Sequence, residues 1–501
     1  MKTLITKEKV RARVGTTSTR RTFLGIPDSP AKAGPSSLTF SDTTQTKHPS
    51  TAYSPEGILK SWVTDEHRRI AAGTVIEWKD GQTGSLRDAI VLSPNKKFQP
   101  ILGFGGALTD TTCFMFNQLS PAARAELFHT LFDPSEMALN VCRICMGSAD
   151  CATKVYSYDD GEIDPDLSRF SIDHDLEYIL PVLRQARGIN PDLFLFASPW
   201  SPPGWMKSNG SMLGGCMRHT YMPSYANYFL KFLRAYDAEG VPIQAVTIQN
   251  EVDADQDGSM PACAWPQDYE ADFLTMHLGP LFDRAGAKAK IWIIDHNYNL
   301  WGRAMGELET PDVMKYTNAI AWHGYVGEPE WINRVQNAYP GVEMYWTEGG
   351  PDYKAPDYLV EWVNWGKTFS RVLRNCCRSI TAWNLATDEH GRPYVGGDPT
   401  GVGGAMIIDS QTKRISYSGM FWALGHFSRF VRRGATRVDS QCTSNALFHC
   451  AFQNPDGSLV IVITNPGSLQ ACTLRLSNKV AELALPANSM TTLVSLPQSN
   501  E

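Results

Sequence analysis

Two glutamates carry the strongest chemical signal in the chain. Glu251 follows Thr247-Ile248-Gln249-Asn250, and Glu348 follows Tyr345-Trp346-Thr347, so each ends an apolar run of strand length beside amide or aromatic side chains. A solvated surface carboxylate has no need of such a position. Two carboxylates facing each other across a pocket are what hydrolysis of a glycosidic bond requires, one protonated to release the leaving oxygen and one ionised. Their separation, about 5 Å in a retaining enzyme and roughly 6.5–9.5 Å in an inverting one, is a tertiary quantity that spacing along the chain does not give.

The elements that must position them read as α/β. From about residue 100, short apolar runs alternate with longer amphipathic segments of helical period. The runs are Pro100 to Gly105, Asn140 to Met146, Leu193 to Pro199, Ala245 to Gln249, Lys290 to Ile294, Ala319 to Trp322, Glu343 to Thr347 and Ser379 to Asn384. Helices are expected at Ser120 to Phe132, Asp173 to Ala186, Tyr225 to Ala238, Asp268 to Phe282, Tyr358 to Leu373 and Gly419 to Val431. Eight strand–helix units fit a (β/α)8 TIM barrel, whose active site lies at the carboxyl ends of the strands. In that barrel the fourth and seventh strands bring Glu251 and Glu348 to opposite sides of one mouth. The flanks break the alternation. Thr74 to Trp78 and Ala89 to Leu92 before it, and Ala446 to Phe452, Leu459 to Thr464, Leu474 to Leu476, Ala481 to Leu485 and Thr491 to Leu496 after it, predict a side β-sandwich domain built from both chain ends. Asn454-Pro455-Asp456-Gly457 is its strongest hairpin signal. The expected division is a disordered leader at 1–55, N-terminal sandwich strands at 56–98, the catalytic barrel at 99–411, and the last barrel helix with the C-terminal strands at 412–501.

Composition narrows the function. The 501 residues hold 46 Lys plus Arg against 52 Asp plus Glu, a net charge of −6, which argues against a nucleic-acid partner. No apolar run reaches the roughly 18 residues of a membrane helix, so no transmembrane segment is expected. Cys142, Cys145 and Cys151 read as core thiols, since no second pair completes a zinc site. Thr19 to Leu24 resembles a twin-arginine export signal, but Pro27, Asp28, Pro30 and Lys32 occupy the place of the apolar segment, so export and a cytoplasmic location stay open. Asp253-Ala254-Asp255-Gln256-Asp257-Gly258 matches the first half of a calcium loop, yet its twelfth position is Ala264 rather than Glu, and a solvated acidic loop is the better reading. The glycine clusters Gly103 to Gly106 and Gly396 to Gly404 read as tight active-site loops.

Longer motifs specify more. Gly103-Phe104-Gly105-Gly106-Ala107 with Thr109-Asp110, Ala197-Ser198-Pro199-Trp200 through Trp205-Met206-Lys207-Ser208-Asn209-Gly210, Gln249-Asn250-Glu251, His323-Gly324-Tyr325, Thr347-Glu348-Gly349, Trp383-Asn384-Leu385 and Ala423-Leu424-Gly425-His426-Phe427 together resemble glycoside hydrolase family 30 over about residues 60–498. That family comprises retaining β-glycosidases and includes the glucosylceramidases. The resemblance implies that Glu251 is the acid/base and Glu348 the nucleophile. It implies that Arg143 and Tyr325 hold the nucleophile, and that Asn250 bonds the sugar 2-hydroxyl. By the same resemblance Asp150, Trp200 and Trp383 line the glycone subsite, with His323 and Tyr325 beside it. One departure is Val252, where the family usually has Pro. The expected activity is that of an exo-acting, glucosylceramidase-like β-glucosidase on a β-linked glycoside or oligosaccharide, needing no metal and no organic cofactor. Endo-β-1,6-glucanase or β-xylosidase action is the alternative within the family, and a catalytically silent carbohydrate-binding barrel the alternative outside it. Oligomeric state is not legible.

Overall fold

The computed structural model describes residues 57–81, 89–397, 401 and 403–496. The expected leader at 1–55 lies outside the described residues, as does part of the second glycine cluster. All eight expected barrel strands are present. Gly103–Ala107, Val141–Cys145, Phe194–Ser198, Ala245–Thr247, Lys290–Asn297, Ala319–His323, Glu343–Glu348 and Cys377–Ala382 close into a parallel barrel in chain order, the eighth pairing with the first.

The two faces of these strands have different company, as a period of two requires. Val141, Phe196, Ala245, Trp292, Ala319, Ala321 and Tyr345 meet inside the barrel. Their strand neighbours Cys142, Ile144, Leu195, Ala197, Val246, Ile293, Ile320, Trp322, Met344 and Trp346 join the larger core beneath the helices. Two residues further along the inward rows stand Arg143, Ser198, Thr247, His323 and Thr347, so a polar layer sits directly above an apolar one. On the fifth strand the same count from Trp292 would place Ile294 inward. A bulge there shifts the register between Ile294 and His296, with Ile294 and Asp295 at φ of 74° and 44°. Ile293 and Ile294 both fall into the outer core, and Asp295 turns inward instead.

The first glycine cluster is a correction: Gly103 to Gly106 lie within the first barrel strand rather than in a loop. A Cβ on Gly105 would stand 1.8 Å from the Val141 carbonyl oxygen, so it is close approach of two strands that demands glycine here.

Helix expectations hold in place but not in length. Ser120 accepts a hydrogen bond from the Ala123 amide and caps Pro121–Phe132. The segment expected as one helix at Asp268 to Phe282 runs as Gln267–Asp272, a π turn at Phe273–Leu278, and Gly279–Ala285. Pro280 cannot donate to the carbonyl four residues earlier, and the wider turn accommodates that gap. Asp173 to Ala186 divides into Asp173–Glu177 and Ile179–Ile189, and the helix expected from Tyr358 begins at Trp362.

The side domain joins both flanks. Ile58–Thr64 pairs antiparallel with Ser489–Ser495, and the twelve-residue strand Ala89–Pro100 pairs with Thr436–Cys442 on one side and Gln470–Leu476 on the other. Leu459–Asn465 shows how the domain docks. Leu459, Ile461 and Ile463 face the sandwich's own core, while Val460 and Val462 join the core that contains the barrel helices. The Asn454–Gly457 turn closes as expected, Gly457 donating its N–H to the Asn454 carbonyl at 2.9 Å with a φ of 85°. Ile58–Thr64 and Thr436–Cys442 were not expected. The latter contributes only Val438 and, at its end, Cys442 to the sandwich core, with polar residues between them, so it shows no alternation to read.

Trp292 is fully buried inside the barrel, 4.1 Å from the Tyr345 ring and 5.0 Å from Phe196. Trp292→Ala is expected to cost about 3–5 kcal/mol, seen as a lower urea midpoint at unchanged slope.

Candidate active site

The inward polar layer and the strand-end loops assemble one site. Arg143, with no solvent exposure, is its centre. Its Nε donates to Ser198 Oγ at 3.0 Å, and Nη2 to Asn250 Oδ1 at 2.8 Å and Asp295 Oδ2 at 2.7 Å. Its Nη1 donates to Glu348 Oε2. A buried guanidinium would be untenable without such partners. Asp295 is the second hub. Its Oδ2 also accepts from Ser198 Oγ and Thr247 Oγ1, and its Oδ1 from Thr347 Oγ1 at 2.7 Å and His323 Nε2 at 3.0 Å. Burial alone would raise its carboxyl. The Arg143 charge and the hydrogen bonds from His323 and Thr247 outweigh burial and hold it well below the usual carboxylate range.

Glu348 receives donors on both oxygens, Arg143 on Oε2 and the Tyr325 hydroxyl on Oε1 at 3.1 Å. Glu251 sits differently. Its Oε2 accepts from Gln256 Nε2 at 2.7 Å, and its Oε1 lies 3.5 Å from His296 Nδ1 and 3.6 Å from His323 Nδ1. His323 therefore faces both glutamates, Nδ1 toward Glu251 and Nε2 toward Glu348 at 3.7 Å. Burial would lower its pKa, but Glu348, Asp295 and Glu251 push it up to about 9. Burial opposes ionisation of Glu251, yet His323, His296 and Gln256 hold its carboxyl below the ordinary value. The Glu251 backbone is also strained, at a φ of 54° on a residue with a side chain.

The remaining wall is aromatic and acidic. Trp200 and Trp383 stack at 5.0 Å, and the Arg143 guanidinium lies 4.6 Å from the Trp200 ring centre. Asp150 is buried beside them. Burial, Glu348 and Glu251 push it up to about 7, and its Oδ1 has no hydrogen-bond partner. An unsatisfied buried oxygen in a pocket is a place for a ligand hydroxyl.

All nine residues singled out from sequence at this site, Arg143, Asp150, Trp200, Asn250, Glu251, His323, Tyr325, Glu348 and Trp383, are brought together. Sequence reasoning missed Asp295 and His296, and it gave no role to Ser198, Thr247, Thr347 and Gln256, which it met only within motifs. The signal for Asp295 was its place one residue beyond the expected end of the fifth strand. Lys207 had been seen only within a motif. It is buried, donates to Ser201 Oγ and the Met212 carbonyl at 2.8 Å and to the Ala262 carbonyl, and so ties the loops after the third and fourth strands together. The acidic loop is committed elsewhere than to calcium: Asp253 Oδ1 pairs with His296 Nε2 at 2.7 Å, and Asp255 caps its own turn.

Removing Asp295 leaves the Arg143 cation with one carboxylate too few in a dry site. Asp295→Asn is expected to destabilise the fold by about 3–5 kcal/mol, checked by chemical denaturation.

Comparison with known proteins agrees with this architecture. The model of the glycosyl hydrolase family 30 TIM-barrel domain matches residues 101–431, and that of the family 30 β-sandwich domain matches residues 434–493. The chain is 33% identical over 410 residues to an endo-1,6-β-D-glucanase of Neurospora crassa, covering 77% of this chain and 82% of that one. It is 31% identical over 401 residues to the lysosomal acid glucosylceramidase of Mus musculus, covering 76% and 77%. Among solved structures, SrfJ from Salmonella typhimurium superposes with a TM-score of 0.84 at 25% identity, covering 88% of this chain and all of that one. A solved endo-β1,6-glucanase superposes at 0.80 and 26%, with the same coverage.

Proposed function

The chain belongs to glycosyl hydrolase family 30, and from that premise we propose that it cleaves β-glucosidic bonds with retention, Glu348 acting as nucleophile and Glu251 as acid/base. The observation that carries the assignment is the unequal setting of the two glutamates. Glu348 has both oxygens held by donors, one of them a buried cation, which fixes and aims the group at one point of the pocket. Glu251 lies among histidines on a loop, where it can lose and regain a proton. In the first step Glu251 protonates the glycosidic oxygen as Glu348 bonds to the anomeric carbon and the aglycone leaves. In the second Glu251 takes a proton from water, which displaces Glu348 and frees the sugar.

The other residues serve these steps. Asn250 spends its Oδ1 on Arg143, which leaves its Nδ2 to donate to the sugar 2-hydroxyl. Asp150 Oδ1 accepts from a hydroxyl on the far side of the ring, and Trp200 and Trp383 take the apolar face. Met260 and Tyr394 pack against these aromatics and support a closed glycone end, hence release of one glucose from a chain end. The similarity to the Neurospora endo-1,6-β-D-glucanase favours a second reading, internal cleavage of a β-1,6-glucan, and similarity to the mouse enzyme keeps glucosylceramide as a candidate substrate.

Nitrophenyl β-glucoside should be hydrolysed faster than the β-xyloside, β-galactoside and β-fucoside, and Glu348→Gln should lose at least three orders of magnitude in kcat. Glucose as the first product from β-1,6-glucan means exo-action, and a ladder of oligosaccharides means endo-action. No cleavage of any of these substrates would leave a binding barrel.

Glu251 must carry a proton in the first step, and its carboxyl is held below the ordinary glutamate value. The protonated fraction therefore falls as pH rises through that lowered pKa, and kcat/KM is expected to be highest in acid and to decline toward neutrality. His296→Asn removes one of the neighbours that hold the Glu251 carboxyl down and should move this decline to higher pH.

A further inference from the structure

We propose that Glu251, His296 and His323 form a binding site for a divalent transition ion of the zinc class. One ligand atom from each of the three residues lies within 4.8 Å of the other two, and Glu251 Oε1 stands 3.5 Å from His296 Nδ1 and 3.6 Å from His323 Nδ1. A tetrahedral ion about 2.1 Å from each ligand spaces its ligands by roughly 3.4 Å, and the two oxygen–nitrogen separations already suit such an ion. Two imidazoles and one carboxylate are the donor set of three-ligand zinc sites that keep a fourth position open.

The surroundings of both rings point the same way. His323 donates Nε2–H to Asp295 Oδ1, and His296 faces Asp253 Oδ1 with Nε2 at 2.7 Å. A carboxylate behind each imidazole fixes ring orientation and directs the other nitrogen inward, the arrangement found behind metal-bound histidines. Asn297 settles the His296 tautomer independently. Its Oδ1 accepts from the Tyr325 and Val326 amides, so its Nδ2 is the atom that faces His296 Nδ1 at 3.2 Å, and Nδ1 bears the lone pair. The ion would take that lone pair from the Asn297 contact. His323 Nδ1 is fully buried, aimed at Glu251, and has no hydrogen-bond partner. Binding is balanced by release of any proton that His323 Nδ1 carries, with no change of oxidation state.

Occupancy consumes the Glu251 oxygen and excludes the aglycone side, so the bound ion switches hydrolysis off reversibly. That consequence rests on Glu251 being the acid/base; the binding itself does not. The exposed thiol Cys216 is the obvious competing ligand and is removed first by Cys216→Ser.

The test is cobalt(II) and zinc titration of the full chain carrying Cys216→Ser, with and without His296→Ala, after circular dichroism shows both folded. One ion per chain, the intense visible band of four-coordinate cobalt, and at least tenfold weaker binding with His296→Ala are expected. Zinc should suppress nitrophenyl β-glucoside hydrolysis and a chelator should restore it. Binding that is absent, or equal in the two proteins, overturns the site. Binding that depends on His296 while hydrolysis proceeds undiminished supports the site and overturns the assignment of Glu251 as acid/base.

Discussion

A single buried positive charge organises this molecule. Arg143 stands on the inward face of the second barrel strand with no contact to water, and a guanidinium there is tolerable only if carboxylates and hydrogen-bond acceptors surround it. Asp295 and Glu348 provide the charge, and Ser198 and Asn250 complete the coordination of its N–H groups. Asp295 in turn is tolerable only because Ser198, Thr247, Thr347 and His323 donate to it. Six of the eight barrel strands thus contribute an inward or strand-end polar group to one network. The bulge at Ile294 belongs to the same constraint, since without it the fifth strand would present an isoleucine to the guanidinium.

This network explains why the two glutamates differ. Glu348 is held inside the barrel by Arg143 and Tyr325, one donor on each oxygen, so its position is tied to folding. Glu251 is attached through a strained backbone and a loop, and its Oε1 faces the rings of His296 and His323. Rigid and adjustable carboxylates side by side are the division of labour that double displacement calls for. The loops beyond are tied to one another by Lys207.

Much of this was legible from sequence because the signals were local. Apolar runs of strand length at regular intervals gave all eight barrel strands, and the polar ends of the fourth and seventh gave the two glutamates. What stayed hidden depends on distant parts of the chain. The inward turn of Asp295 comes from a bulge that periodicity cannot register, and the role of Thr247 or Thr347 exists only once Asp295 is in place. His296 reads as an ordinary residue after a strand until Asp253, Asn297 and Glu251 converge on it. Thr436–Cys442 is polar enough that only its pairing with Ala89–Pro100 makes it a strand. The glycines of the first strand were misread as a loop because the backbone that presses on Gly105 belongs to Val141, on the next strand.

The most direct test of the account is trapping with a 2-deoxy-2-fluoro-β-glucoside bearing a good leaving group, followed by mass spectrometry of the digested protein. The slowed second step should leave one fluoroglucosyl group per chain, on the peptide containing Glu348, with loss of activity in proportion. Labelling at Glu251, or steady hydrolysis of a β-glucoside to the α-anomer with no covalent adduct, would contradict the assignment of Glu348 as the nucleophile.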